Sequence, residues 1–267
     1  MMIGNITLGQ YIPGNSILHR IDPRTKIFWT ALLMVVTFLI STWAEYVMMG
    51  AFVLMLLLVS GVPIKQSIKG IKPLLFILAI TAILNIFFTG GTPVFEIGPV
   101  KVTYEGIIAA VKLFLRLVML VITASLVTIT TTPMTMTDGI EKLLKPFEKI
   151  GVPSHEIAMM MSIALRFIPT LLDETDRIMK AQASRGANFD TGSIFSRIKS
   201  FIPVLVPLFV SAFKRADELA EAMESRCYRG GKGRTRLKEI HYTRLDLFVS
   251  MVGIAFIGVL FSGRIFL

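Results

Sequence analysis

The sequence predicts an all-α integral membrane protein: about five transmembrane helices and a cytoplasmic domain of about three amphipathic helices, two of them long. Three observations predict this. Hydrophobic residues make up 54% of the 267 positions and charged residues 17%, below the quarter usual in soluble domains. Five stretches run without a charge for about the length that crosses a hydrocarbon core. Of the 46 charged residues, 30 fall within Thr132–Tyr242, which reads as a water-facing block inserted before the last span. The resulting division is 1–131 with four spans, 132–242 as the cytoplasmic or interfacial block, and 243–267 with the final span.

The uncharged stretches are Ile27–Ala44, Tyr46–Ile64, Pro73–Phe95, Leu117–Thr137 and Leu247–Gly263. Before the first, Asp22 followed by Pro23 fits a helix N-cap with proline at the first helical position. The third carries Asn85 and ends in the turn residues Thr89-Gly90-Gly91-Thr92-Pro93. Phe95–Val102 alternates weakly and suits a short strand or an irregular outer loop. The fourth stretch has an alternative start near Tyr104, which places Lys112 and Arg116 inside the membrane on one helix face. Charges at such depth turn toward protein, a partner or water, unless they snorkel to the headgroups.

Basic residues set the orientation. Arg20, Arg24 and Lys26 precede the first span, and Lys65, Lys69 and Lys72 separate the second from the third. Ser41–Glu45 has no basic residue, and the 88–103 loop has only Lys101. The N-terminus, the second loop and the charged block are expected in the cytoplasm, with the C-terminus outside. A net charge of +10 suits a face against anionic membrane lipid. It does not suggest nucleic acid, because the bases are spread over loops that flank apolar spans. Met1–Gln10 lacks the pattern of a cleavable signal.

Within the charged block, Asp138–Ile150 reads as a short amphipathic helix stopped by Gly151-Val152-Pro153, with Ser154 as cap of the next. That next helix reaches about Arg185, apolar in its first half apart from Arg166 and charged in its second. A further helix runs from about Ser193 to Arg226. Its apolar part, Phe201–Phe213, is about 13 residues and so too short to span, and Pro203 and Pro207 are expected to bend it. Both helices are expected to root apolar halves on the spans and project charged halves into water. Gly230 to Arg234 reads as a flexible basic linker.

Catalytic chemistry is missing. His19, His155 and His241 stand far apart without a second ligand at metal spacing, and no nucleophile elbow occurs. The sequence therefore predicts no enzyme, no metal site and no cofactor held by this chain. The single cysteine, Cys227, excludes an internal disulfide.

What the block does contain is a repeated plan. Phe167-Ile168-Pro169 leads to Ser184-Arg185-Gly186, and Phe201-Ile202-Pro203 leads to Ser225-Arg226-Cys227. Proline to arginine is 16 residues in one and 23 in the other; the difference is about two helical turns, so both arginines leave on nearly the same face. Arginine near a helix C-terminus satisfies the last carbonyls, but a guanidinium fork also suits carboxylates on a partner.

Asp22-Pro23-Arg24-Thr25-Lys26, Thr131-Thr132-Pro133, Ala164-Leu165-Arg166-Phe167-Ile168-Pro169, Ala183-Ser184-Arg185-Gly186 and the Pro203–Tyr228 stretch together resemble the transmembrane scaffold subunit of energy-coupling factor transporters, relatives of ABC importers. The resemblance covers essentially the whole length. It implies a non-catalytic coupling subunit that joins two ABC-type ATPases to a substrate-binding membrane subunit for a vitamin or transition-metal ion, with ATP and magnesium on the ATPases. The family pattern Ala-Arg-Gly at each tip implies docking roles for Arg185 and Arg226 with Ser184, Gly186, Ser225 and Cys227. Cys227 stands where the pattern has glycine, so the second tip is expected to end differently or grip less tightly. Phe201, Leu205, Leu208, Phe209, Met160 and Met161 are candidates for holding the substrate-binding subunit. The competing expectation is a self-sufficient secondary transporter with Lys112, Arg116 and Asn85 along a polar pathway.

Overall fold

The computed structural model describes residues 11–63, 66, 72–97, 100–187, 189, 193–231 and 240–265. Lys65, Lys69 and most of the basic linker after Gly231 lie outside the described residues, as does Met1–Gln10. The described chain forms two compact units, and the division falls just after Gly139 and again between Gly231 and Ile240.

One unit holds α1 (Ile17–Arg20), α2 (Pro23–Leu39), α3 (Trp43–Ser60), α4 (Leu75–Phe88), the strands β1 (Pro93–Ile97) and β2 (Val100–Thr103), α5 (Tyr104–Thr130) and α9 (Arg244–Ile265). Asp22 caps α2 as its sequence predicts, accepting from the Arg24 backbone N–H at 2.8 Å. The helix stops at Leu39, and Ile40 is extended. The chain turns, and the Glu45 carboxylate accepts the backbone N–H groups of Ser41 and Thr42, which anchors the start of α3. Gly61, in the left-handed conformation at φ 64°, ends α3. Leu33, Val36 and Ile40 pack with Tyr46, Met49 and Val53, with Met119 of α5 and with Leu260 of α9. α5 is thus the central post, touching α2, α3 and α4. The weakly alternating segment is a two-stranded antiparallel hairpin with a register shift between Pro93 and Phe95.

Contacts between α2 and α9 close this unit. The Asp22 backbone N–H donates to the Asp246 carboxylate at 2.7 Å. The Arg24 guanidinium bonds both its own Asp22 and the Ile240 carbonyl, and lies over the Tyr242 ring. The Trp29 indole donates to Ser250 and rests on Gly253, where a Cβ would come within 2.5 Å of the ring. Phe52 of α3 stacks on Phe256 at 4.0 Å.

The other unit begins within α6 (Pro133–Leu144), at Ile140, and holds a 3₁₀ turn (Lys145–Ile150), α7 (Ser154–Ser184) and α8 (Ile194–Ser225). The short helix therefore begins five residues earlier than Asp138 and tightens to 3₁₀ geometry at Lys145, beside Pro146, which has no N–H to offer. Ser154 is not the cap of α7. It is the first helical residue, after Pro153, and its hydroxyl bonds Glu148. Ser193 does cap α8, accepting from the Ser196 N–H.

Helix bounds do not follow the uncharged stretches one for one. Thr131 and Thr132 break the fourth stretch, which starts at Tyr104, and Ile40–Thr42 breaks the first. Among the described residues, five helices are long and apolar enough to cross a membrane by length and composition: α3, α5, α7, Phe195–Ser225 of α8, and Arg244–Gly263 of α9. α2, at 17 residues, and α4, at 14, are shorter. The expectation that the α8 apolar part is too short rested on an uninterrupted uncharged run. The helix continues unbroken through Pro203 and Pro207, and a window that admits Arg197 and Lys199 reaches the required length.

Candidate functional site

α7 and α8 pack antiparallel. The Glu174 carboxylate of α7 meets the Arg215 guanidinium of α8 at 2.8 Å. Further back on α7, His155 lies against Gly231, just past the end of α8. Position numbers fall on one helix as they rise on the other.

The two helices end alike. Arg185 and Arg226 are the C-caps, at φ/ψ of −89°/7° and −90°/11°. The next residue turns left-handed in both: Gly186 at φ 90° and Cys227 at φ 55°. In the first tip, the Gly186 N–H donates to the Ala183 carbonyl and the Ala187 N–H to the Gln182 carbonyl, each at 3.0 Å. In the second, the Cys227 N–H donates to Glu224 at 2.8 Å and the Tyr228 N–H to Met223 at 3.0 Å. This paired closure is the Schellman motif, which satisfies carbonyls the helix leaves open. Cys227 was expected to make the second tip end differently. It does not, because the two reverse hydrogen bonds hold a residue with a Cβ where glycine sits without strain. Cys227 is the only non-glycine residue with positive φ among the described residues. Ser184 and Ser225, like both arginines, are exposed, and their hydroxyls bond carbonyls of their own helices.

Sequence reasoning missed Glu174 and Arg215. Each stands 11 residues before its helix's terminal arginine, which is about three turns, or roughly 16 Å along the axis. The ion pair is therefore equidistant from the tips, and both arginines emerge on the face that carries it. The equal spacing was present in the sequence, but only the observed contact singles it out from the other charges nearby.

Phe201, Leu205 and Phe209 repeat at four-residue intervals and form one exposed apolar stripe on α8, while Val204 is buried. Leu208 is half-buried beside that stripe. On α7, Met160 is exposed and Met161 half-buried.

Lys112 and Arg116 reach from α5 to the turn after α2. The Lys112 ammonium donates to the Ser41 carbonyl at 2.7 Å and lies over the Trp43 ring. Arg116 donates to the Ile40 carbonyl at 2.8 Å, with its guanidinium over Tyr46. One helical turn apart on α5, they hold the carbonyls at the C-terminal end of α2, where cations are favoured. Asn85 donates to the Thr81 carbonyl of its own helix.

Residues 14–237 match the family model described as "Cobalt transport protein". The chain is 56% identical over 255 residues to the energy-coupling factor transporter transmembrane protein EcfT of Ruminiclostridium cellulolyticum, covering 96% of both chains. It is 51% identical to the protein of the same description from Clostridium kluyveri, over 99% of this chain and 98% of that one. For the one from Bacillus subtilis the identity is 44%, over 98% of this chain and 100% of the relative.

Proposed function

The chain belongs to the energy-coupling factor transporter transmembrane protein family, and from that premise we propose that it couples two cytoplasmic ATPases to a substrate-capturing membrane subunit. It is a multi-pass membrane component of a transporter and not itself an enzyme. The matched helix ends carry the proposal. Two guanidiniums at equal distance from one ion pair, on antiparallel helices, are separated by roughly 33 Å if the axes align. That spacing suits two similar partners docked at once.

The ATPases supply ATP hydrolysis with their own nucleotide and magnesium. Each tip presents Arg185 or Arg226 to a groove, framed by Ser184 and Gly186 or by Ser225 and Cys227. When the ATPases close, the tips are drawn together and α7 and α8 pivot about Glu174 and Arg215. The pivot moves the stripe of Phe201, Leu205 and Phe209, with Leu208 and the Met160-Met161 pair, against the substrate-binding subunit. The cargo class is a vitamin or a transition-metal ion. In this arrangement the tips and the N-terminus face the cytoplasm of a prokaryotic cell.

The secondary-transporter alternative loses its motive, since Lys112, Arg116 and Asn85 bond backbone carbonyls. The test is co-purification of the ATPases with the full chain. Arg185→Glu with Arg226→Glu is expected to abolish it while the chain stays folded. Normal recruitment by that double variant, or labelling of positions 185 and 226 from outside intact cells, defeats the proposal.

A further inference from the structure

Beside the second tip lies an open cleft of about 650 Å³, formed wholly within the α7–α8 unit. Three arginines line it: Arg166 from the fourth turn of α7, and Arg226 and Arg229 from the end of α8 and the turn beyond. No carboxylate lines it. None of the three arginines makes an ion pair among the described residues. Met159, Ile163 and Met223 supply an apolar wall. Three unneutralised cations held together repel one another, an arrangement that an anion in the cleft would relieve.

We infer that this cleft is a three-arginine clamp for an acidic, partly apolar segment of the ATPase docked at the second tip. The inference rests on the docking reading and adds to it a specific partner chemistry: at least two carboxylates flanking an apolar side chain. Each guanidinium takes a carboxylate through its planar fork, and the thioethers of Met159 and Met223 adapt to the apolar side chain between them. An acidic protein segment fits better than a lipid surface. Asp217, Glu218, Glu221 and Glu224 stand exposed along the last turns of α8 and outside the cleft lining. A plane of anionic headgroups would meet those carboxylates, whereas a peptide that enters only the cleft avoids them.

The clamp has a mechanical consequence. Arg166 belongs to the opposite helix, so a partner seated at the second tip grips α7 and α8 together.

The test uses the full chain in nanodiscs and the ATPase pair that co-purifies with it. Arg166→Gln and Arg229→Gln are each expected to weaken binding about tenfold, as for loss of one desolvated charged contact, and to flatten its salt dependence. Arg166→Lys, which keeps the charge and loses the fork, should fall between and serves if the glutamine variant folds poorly. Wild-type binding by all three variants, with Arg226→Glu inactive, overturns the clamp and leaves the docking reading standing. Wild-type binding by Arg226→Glu as well sinks both. Unchanged ATPase affinity with reduced binding of phosphatidylglycerol vesicles assigns the cleft to lipid and overturns the inference.

Discussion

Reversal of the ion pair between α7 and α8 tests whether the two rods share a pivot. Glu174 and Arg215 meet at 2.8 Å with 31% of each side chain exposed. Water screens a pair that open, so its worth is at the upper end of the surface range, about 0.5–1 kcal/mol. Glu174→Arg removes that attraction and sets two guanidiniums against each other, for a loss of about 1–2 kcal/mol. Arg215→Glu does the same with two carboxylates. The swapped double variant restores opposite charges at the same place and should regain most of the loss. A double-mutant cycle on unfolding of the purified chain in detergent isolates the coupling. In the assembled transporter, ATP hydrolysis by the single variants should run with less transport per turnover, and the swap should recover the ratio. A coupling within about 0.3 kcal/mol of zero, or a swap as defective as either single variant, would refute the pivot.

Cys227→Gly should stabilise the second tip by about 0.5–1 kcal/mol: relief of left-handed strain of about 1–2 kcal/mol, less the entropy glycine adds to the unfolded chain. Slower amide exchange at positions 227 and 228 of the variant reads this out. Gly186→Ala, at φ 90° with open space around it, should cost the first tip about 1 kcal/mol, seen as faster exchange at Ala187. Lys112→Met and Arg116→Met should each destabilise the membrane unit by about 1.5–3 kcal/mol, the value of a hydrogen bond to a charged group, measured by thermal unfolding; proteoliposomes holding the chain alone should show no uptake with or without these changes. Asp22→Ala removes the α2 cap and the Arg24 fork together and should cost more than the roughly 1 kcal/mol of a cap alone.

Local chemistry was legible in the sequence. Asp22-Pro23 announced the start of α2, and Thr89-Gly90-Gly91 the end of α4. The arginine tips were visible as a repeated plan, because caps depend on a few adjacent residues. Features set by tertiary packing were not. Nothing near Lys112 or Arg116 reveals that their partners are carbonyls more than 70 positions away. Arg215 is one of several charges on α8, and only the packing of α7 against it selects Glu174. Cys227 misled for a different reason: residue preference disfavours the left-handed conformation, yet two backbone hydrogen bonds enforce it.

The seam between α2 and α9 bears on how the molecule is made. Asp22 and Asp246 are 224 positions apart, and Trp29 finds its hydroxyl partner at Ser250. A ribosome releases the first of these long before the second exists. The newborn α2 must therefore wait with its indole and capping loop unmatched until α9 arrives to close the bundle.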